Sequence, residues 1–170
     1  MSIVLDGSNQ TTGGLINSGT AQASTSGTAI TFTGIPSTAK RITVMLNGVS
    51  TNGTSAYQVQ IGSGSVINTG YLGKCVETTT ASGTGATAYT SGFIVARSAT
   101  ASTTLYGKVE LDLITGNTWL ASGVALSSVT DNQFYFSGSL SLSGALDRVV
   151  ITTVNGTDTF DAGSINIFWE

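Results

Sequence analysis

The sequence contains no histidine, one cysteine and one proline, and only 9% of its residues are charged. Without histidine, the chain lacks the side chain that most often acts as a general base near neutral pH. A single cysteine, Cys75, excludes an intrachain disulfide and a zinc site built from several thiolates. No apolar run approaches the ~18 residues of a membrane-spanning helix, so we expect no membrane insertion.

Small and hydroxyl-bearing residues are abundant instead, with 22 Ser, 28 Thr and 22 Gly among 170 residues. The formal net charge is −3, and the six basic residues are scattered. Because binding to phosphates needs a concentrated basic surface, we expect no interaction with nucleic acid. A surface of uncharged polar groups is cheaper to desolvate than a charged one. This composition favours packing against copies of the chain or against neutral, hydroxyl-rich partners.

Short segments with a hydrophobic period of two predict β-strands along most of the chain. In one of them, Leu105, Val109 and Leu111 share a face, and Lys108 and Glu110 share the opposite face. Asn-Gly pairs, which suit tight turns, lie between several of these segments. Sustained helical spacing is nearly absent. The pattern predicts an all-β protein, an antiparallel β-sandwich that is jelly-roll-like with eight or nine strands.

Two stretches depart from this alternation and define the domain organisation. Residues 1–27 contain few apolar side chains and predict an N-terminal arm, which leaves residues 28–170 as a single β-sandwich domain. Residues 77–91 are rich in Thr, Ala and Gly and predict a long loop. Long loops on a rigid scaffold often carry function.

Candidate catalytic and metal-binding residues are few, and each has a simpler structural explanation. Glu110 and Asp112 lie two residues apart on one strand, as a carboxylate pair for glycoside cleavage could, but charges on a solvated strand face are the more common case. Asp158 and Asp161 could offer oxygens to calcium, although the twelve-residue calcium loop is missing and Asp also stabilises turns. We therefore predict no catalytic residue, no metal site and no cofactor, and we expect Cys75 to be a structural residue.

Two tyrosines are the candidate partner contacts. Tyr71 and Tyr89 lie among Gly, Ser and Thr residues, which predicts that both rings are exposed. An exposed tyrosine can stack on a sugar or bury its ring in a protein interface.

Several motifs together carry a family resemblance that spans roughly residues 11–170. They are Gly34-Ile35-Pro36, Lys40-Arg41-Ile42-Thr43-Val44, Asn47-Gly48-Val49-Ser50, Leu146-Asp147-Arg148-Val149 and the segment from Gly156 to Ile167. In these motifs the chain resembles tail-fibre and related virion structural proteins of tailed bacteriophages. The resemblance implies a β module exposed on the virion, made in the host cytoplasm and forming a homo-oligomer, with a trimer favoured.

The function implied by this resemblance is that of a non-enzymatic tail-fibre or tail-tip module that mediates host adhesion. Its partners would be other virion proteins and a host surface polysaccharide. Two alternatives remain open: a capsid decoration protein that stabilises the phage head, and a carbohydrate-binding module. The copy number per virion separates tail from capsid, because a tail carries far fewer copies than a head.

Overall fold

A computed structural model describes residues 16–79, 84–97, 99–101, 103–129 and 132–170. Within these ranges the chain forms fourteen β-strands and no α-helix, so no described helix could cross a membrane. In chain order the strands are β1 (Asn17–Ser18), β2 (Gln22–Ala23), β3 (Ala29–Thr33), β4 (Arg41–Thr51), β5 (Tyr57–Ser63), β6 (Ser65–Val66), β7 (Leu72–Thr78), β8 (Thr84–Ala88), β9 (Phe93–Ala96), β10 (Leu105–Thr115), β11 (Thr118–Ser127), β12 (Gln133–Ser141), β13 (Arg148–Thr153) and β14 (Phe160–Trp169). The predicted all-β class is confirmed. The strand count exceeds the predicted eight or nine, partly because β1, β2 and β6 have two residues each.

The strands form two antiparallel sheets. Sheet A has nine strands in the order β1-β14-β4-β10-β11-β12-β7-β8, with β2 also paired to β14. Sheet B has five strands in the order β3-β13-β5-β6, with β9 also paired to β5. The order β3-β13-β5-β9 is that of one sheet of an eight-stranded jelly roll that begins at β3 and ends at β13, and β14 follows as an additional strand of sheet A. The second sheet of the jelly roll is formed by β4, β7 and β8. Its remaining position, which one strand fills in a jelly roll, is occupied here by the three-stranded β10–β12 meander.

The core lies between the two sheets and is built from alternate residues of their strands. Val59 and Ile151 of sheet B are buried together with Val44, Val109 and Phe134 of sheet A in one continuous cluster. Alternation explains this arrangement, because successive side chains of a strand point to opposite faces of its sheet. The antiparallel β-sandwich predicted from the periodicity is therefore the architecture of this chain.

The described part of the predicted arm, residues 16–27, lies along β14 of the same chain. Asn17 pairs with Trp169 in β1, and Gln22 pairs with Ile165 in β2. The Ser24 hydroxyl is buried and donates to the carbonyl of Ala162 at 2.8 Å. Residues 1–15 lie outside the described residues.

The loop predicted at residues 77–91 is wrong in part, because β7 and β8 form an antiparallel hairpin there. Thr78 pairs with Thr84, and Lys74 with Ala88, without a register shift between them. Residues 80–83, which connect the two strands in sequence, lie outside the described residues. Small residues such as Ala86 give no hydrophobic alternation, which is why the sequence pattern does not indicate this strand.

Candidate binding face

Sheet A has a broad side that faces away from sheet B, here called the outer face. Along β10, Leu105, Val109 and Leu111 are fully buried against sheet B. Lys108 and Glu110 alternate with them and therefore project from the outer face, as the sequence pattern predicts. The same alternation applies to β11, β12 and β7, which pair with one another in unbroken register.

Strand β11 directs Trp119 and two alanines inward, whereas Leu120, Val124 and Leu126 point outward. Ala121 and Ala125 are buried, whereas Val124 is exposed on the outer face. A Cβ at Gly123 would lie 2.5 Å from Cζ of Phe136, so that ring fills the space over the glycine. An aromatic ring of the neighbouring strand thus occupies the inner side of β11 at Gly123, and three aliphatic side chains of β11 lie on the opposite, outer face.

Four large side chains form a contiguous group on the outer face, here called the outer patch: Tyr106, Val124, Leu126 and Tyr135. Tyr106 lies opposite Leu126, and Val124 lies opposite Tyr135, so the patch crosses three strands. The exposed fractions are 43% for Tyr106, 38% for Val124, 41% for Leu126 and 47% for Tyr135. Single exposed apolar residues are ordinary, whereas a contiguous group rimmed by polar residues marks an interaction site.

Charged side chains on β10 and β4, together with the C-terminal Glu170, lie on the β10 side of the outer patch in ion pairs. Lys108 contacts Glu110 at 2.9 Å, and Arg41 contacts Asp112 at 2.8 Å and Glu170 at 2.9 Å. The hydrogen bond to Asp112 raises the pKa of the Arg41 guanidinium above its usual value. Glu110 and Asp112 are each held by a separate cation. Exposed pairs of this kind contribute little to stability, so their main effect here is to give the patch a polar border.

A shallow groove of about 580 Å³ runs across β11, β12 and β7 beside the outer patch, here called the serine groove. Two rows of paired residues cross it: Leu120, Ser139 and Leu72 in one row, and Ser122, Ser137 and Lys74 in the next. The short serine side chains leave space between the leucines. Hydroxyls can both donate and accept hydrogen bonds. The groove therefore offers uncharged polar groups, apolar walls, the ammonium group of Lys74 and, at its β10 end, the carboxylate of Asp112.

The expectation that Tyr71 is an exposed contact is wrong, because its side chain is fully buried. The hydroxyl accepts from the Ile61 N–H at 2.8 Å and lies 2.9 Å from the Ile67 carbonyl, to which it donates. Its ring meets Phe93 edge-on, with centroids 4.8 Å apart. Burial raises the pKa of the Tyr71 hydroxyl. The Gly/Ser/Thr neighbours belong to a turn that folds Tyr71 into the end of the core.

Tyr89, the other candidate contact, follows β8 and is partly buried against the core. Its backbone N–H donates to the Gly73 carbonyl at 3.4 Å, which continues the β7–β8 ladder. Tyr89 therefore lies on the far side of β7 from the outer patch. The Tyr71 N–H donates to the Thr90 carbonyl at 3.2 Å, so the two tyrosines lie on neighbouring segments, but the fully buried Tyr71 ring cannot form an exposed contact site with Tyr89.

Of the remaining carboxylates, Glu77 and Asp158 have structural partners, whereas Asp161 is exposed. Glu77 is buried and forms an ion pair with Arg97 at 2.6 Å. Asp158 accepts from the Ser55 N–H at 2.9 Å and from Asn155 Nδ2 at 2.6 Å, so it stabilises the turn before β14. Among the residues that the structure describes, no group of three or more His, Cys, Asp or Glu side chains is placed to hold a metal ion.

Cys75 is fully buried in the core, as expected for a structural residue. Desolvation raises the pKa of its thiol to about 11. The thiolate fraction at neutral pH is therefore small, and the thiol is unreactive.

Sequence reasoning missed the outer patch and the serine groove. The one available signal was β11, where Leu120, Val124 and Leu126 share a face opposite Ala121 and Ala125. No family model, curated protein or solved structure matches this chain.

Proposed function

We propose that this chain is a non-enzymatic bacteriophage virion structural protein, a tail-fibre or tail-tip module that adheres to the host surface through the outer face of sheet A. The observation that carries the proposal is the outer patch, four contiguous exposed apolar side chains on a nine-stranded sheet. The motifs that resemble tail-fibre proteins supply the virion setting. Strand positions are held by the sandwich, so the outer face is a rigid binding surface.

The chemistry of the outer face suits a neutral saccharide of the host surface. Tyr106 and Tyr135 offer aromatic rings, and the hydroxyls of Ser122, Ser137 and Ser139 offer donors and acceptors. Aromatic side chains with a polar tip are favoured where one side of a contact is apolar and the other is wet. Lys74 lines the serine groove and forms no ion pair with the described residues.

The aliphatic half of the outer patch favours a second candidate, capsid decoration. Val124 and Leu126 present branched aliphatic surface, which packs against a protein more readily than against a sugar. A decoration protein would bind the phage head through this face and would thereby stabilise the head. The two candidates use the same residues and differ in where the protein resides and what it covers.

A pair of valines allows a matched test, because Val124 and Val154 are each 38% exposed and only Val124 lies in the outer patch. The double variant Val124→Ser, Tyr135→Ala should reduce adsorption of the labelled protein to host cells about tenfold or more, as loss of a central interface contact does. Val154→Ser should leave adsorption unchanged. Circular dichroism and thermal unfolding would verify that both variants are folded.

Particle composition separates the two candidates in the same experiment. If the double variant binds cells normally but is lost from phage heads, the decoration role replaces the adhesion role. If both adsorption and incorporation survive, the outer face is not the functional surface and the proposal is wrong.

A further inference from the structure

Strand β8 forms an edge of sheet A that none of the described strands covers. Among the described residues it pairs only with β7, and no register shift interrupts the ladder. Its sequence, Thr84-Gly85-Ala86-Thr87-Ala88, contains no charge and no proline. Proteins usually protect such edges with Lys, Pro or a bulge, because unpaired N–H and C=O groups recruit another strand. None of these devices is present in β8.

The other edges are shorter or partly covered. The opposite edge of sheet A ends in β1 and β2, which have two residues each. At β3 of sheet B, the carbonyl of Thr31 accepts from Gln22 Nε2 at 2.8 Å. Thus β8 has the longest run of backbone groups that the described residues leave unpaired at either edge of sheet A.

The hydrogen-bond pattern shows which groups of β8 face outward. The Tyr89 N–H bonds to Gly73, its register partner, at 3.4 Å. In an antiparallel ladder, hydrogen-bonded and non-hydrogen-bonded pairs alternate. Residues 85 and 87 therefore direct their backbone groups toward β7, whereas residues 84, 86 and 88 direct theirs to the free edge.

Side-chain contacts of Arg97 also fix the position of β8 within the chain. Arg97 Nε donates to the Thr87 hydroxyl at 3.1 Å, and Arg97 Nη1 contacts the buried carboxylate of Glu77 at 2.6 Å. These contacts tie β8 and β7 to the residue that follows β9. A strand that is already positioned loses less conformational entropy when it pairs with a partner.

We propose that β8 is a self-association edge, at which a second copy of this chain adds its own β8 antiparallel about a two-fold axis through Ala86. Residue 86 of one copy then faces residue 86 of the other, and residues 84 and 88 face each other across the axis. Each of these opposed pairs exchanges two backbone hydrogen bonds. Because the strand is uncharged, no like charges oppose one another at the axis.

The pairing register of sheet A indicates that the partner strand is the β8 of a second copy. The most apolar row of the outer face runs from Val124 through Tyr135 and Val76 to Ala86. Two-fold pairing at Ala86 joins this row to the identical row of the second copy, so small apolar side chains meet at the contact. Such an isologous contact closes after two copies. It gives a dimer, in contrast to the trimer that the family resemblance implies.

Sedimentation of the full chain over a concentration series tests the association. Ala86→Pro removes one outward N–H that β7 does not use, and proline is tolerated on an edge strand in that orientation. We expect the wild-type chain to dimerise, Ala86→Pro to weaken the dimer about tenfold or more, and Ala86→Ser, which keeps the N–H, to dimerise like the wild type. A monomeric wild-type chain, or an assembly that Ala86→Pro leaves unchanged, would overturn the proposal.

Cysteine cross-linking tests the register independently of any loss of folding. Ala86→Cys should form an intermolecular disulfide, because directly opposed residues have Cα atoms about 5.5 Å apart, within disulfide range. Ala88→Cys should not cross-link to itself, since residue 88 faces residue 84 of the second copy. Equal cross-linking of both variants, or of Ala88→Cys alone, would contradict the two-fold pairing.

Discussion

At the scale of single residues, Tyr71 shows how a polar group can be used inside this core. Its hydroxyl joins two backbone groups, the Ile61 N–H and the Ile67 carbonyl. Ile61 belongs to β5, and Ile67 follows β6, so one side chain holds both ends of a tight turn. A buried hydroxyl with these partners stabilises the turn, whereas the same hydroxyl without partners would cost free energy.

Tyr71→Phe should lower the free energy of unfolding by about 1–3 kcal/mol, because the buried Ile61 N–H loses its acceptor. Urea denaturation would measure the difference. Tyr135→Phe is the matched control, since that hydroxyl is exposed and contacts only Gln133 Oε1 at 2.5 Å. An equal loss of stability in both variants would contradict the role assigned to Tyr71.

At the scale of elements, β14 bends where its pairing with β4 changes register. The register shifts on both sides of Ala162. Gly163 lies between two of the paired positions with φ +92°, and a Cβ there would lie 2.4 Å from the Gly48 carbonyl oxygen. Such bulges re-aim a strand and need a residue that accepts positive φ. Beyond this bulge, β14 pairs with β4 along one edge and with β1 along the other.

Gly163→Ala should therefore destabilise the protein more than Gly156→Ala. Both positions have positive φ, but a Cβ at Gly156 would meet nothing within 4 Å. The conformational penalty alone is about 1 kcal/mol, whereas Gly163→Ala adds a backbone clash and should cost at least ~2 kcal/mol. Thermal unfolding of both variants compares them directly. Equal shifts in Tm would show that the bulge relaxes without strain.

Strand existence was predictable where large apolar residues alternate, as in β10, and unpredictable where they do not. The β7–β8 hairpin depends on backbone pairing between residues such as Cys75 and Thr87, and small side chains on β8 leave no periodic signal. In β11, Val124 and two leucines face outward, whereas the inner side holds Trp119 and small residues, with the Phe136 ring over Gly123. Alternation identifies two faces of a strand but does not say which face a neighbouring ring will occupy.

The candidate site was less predictable than the fold, because it depends on register between strands that are far apart in sequence. Tyr106 and Tyr135 belong to the same patch only because β11 pairs with both β10 and β12 in the observed register. The sequence indicated that Lys108 and Glu110 share a solvated face. It could not indicate that Val124 and Leu126 join them there. The prediction that Tyr71 is exposed was wrong for a related reason, since its burial depends on the turn that precedes it.

At the scale of the whole molecule, the two sheets share one core rather than two. Strand β9 belongs to sheet B through its pairing with β5, yet its residues pack against β7, β11 and β12 of sheet A. Val95 is fully buried at this contact. Since neither sheet can cover its apolar face alone, we expect the sandwich to unfold in a single cooperative transition.

The positions of the tryptophans make this cooperativity measurable, because Trp119 and Trp169 both lie in sheet A. Ile151→Ala removes buried side-chain volume in sheet B, which should lower the free energy of unfolding by about 2–5 kcal/mol. Tryptophan fluorescence and far-UV circular dichroism should then shift together to the same lower urea midpoint. Thr31→Ala, at an exposed position of β3, should shift neither signal appreciably. If the circular dichroism transition of Ile151→Ala split while the tryptophan transition stayed at the wild-type midpoint, the sheets would be separate cooperative units. The outer face could then persist without sheet B, contrary to the shared core described here.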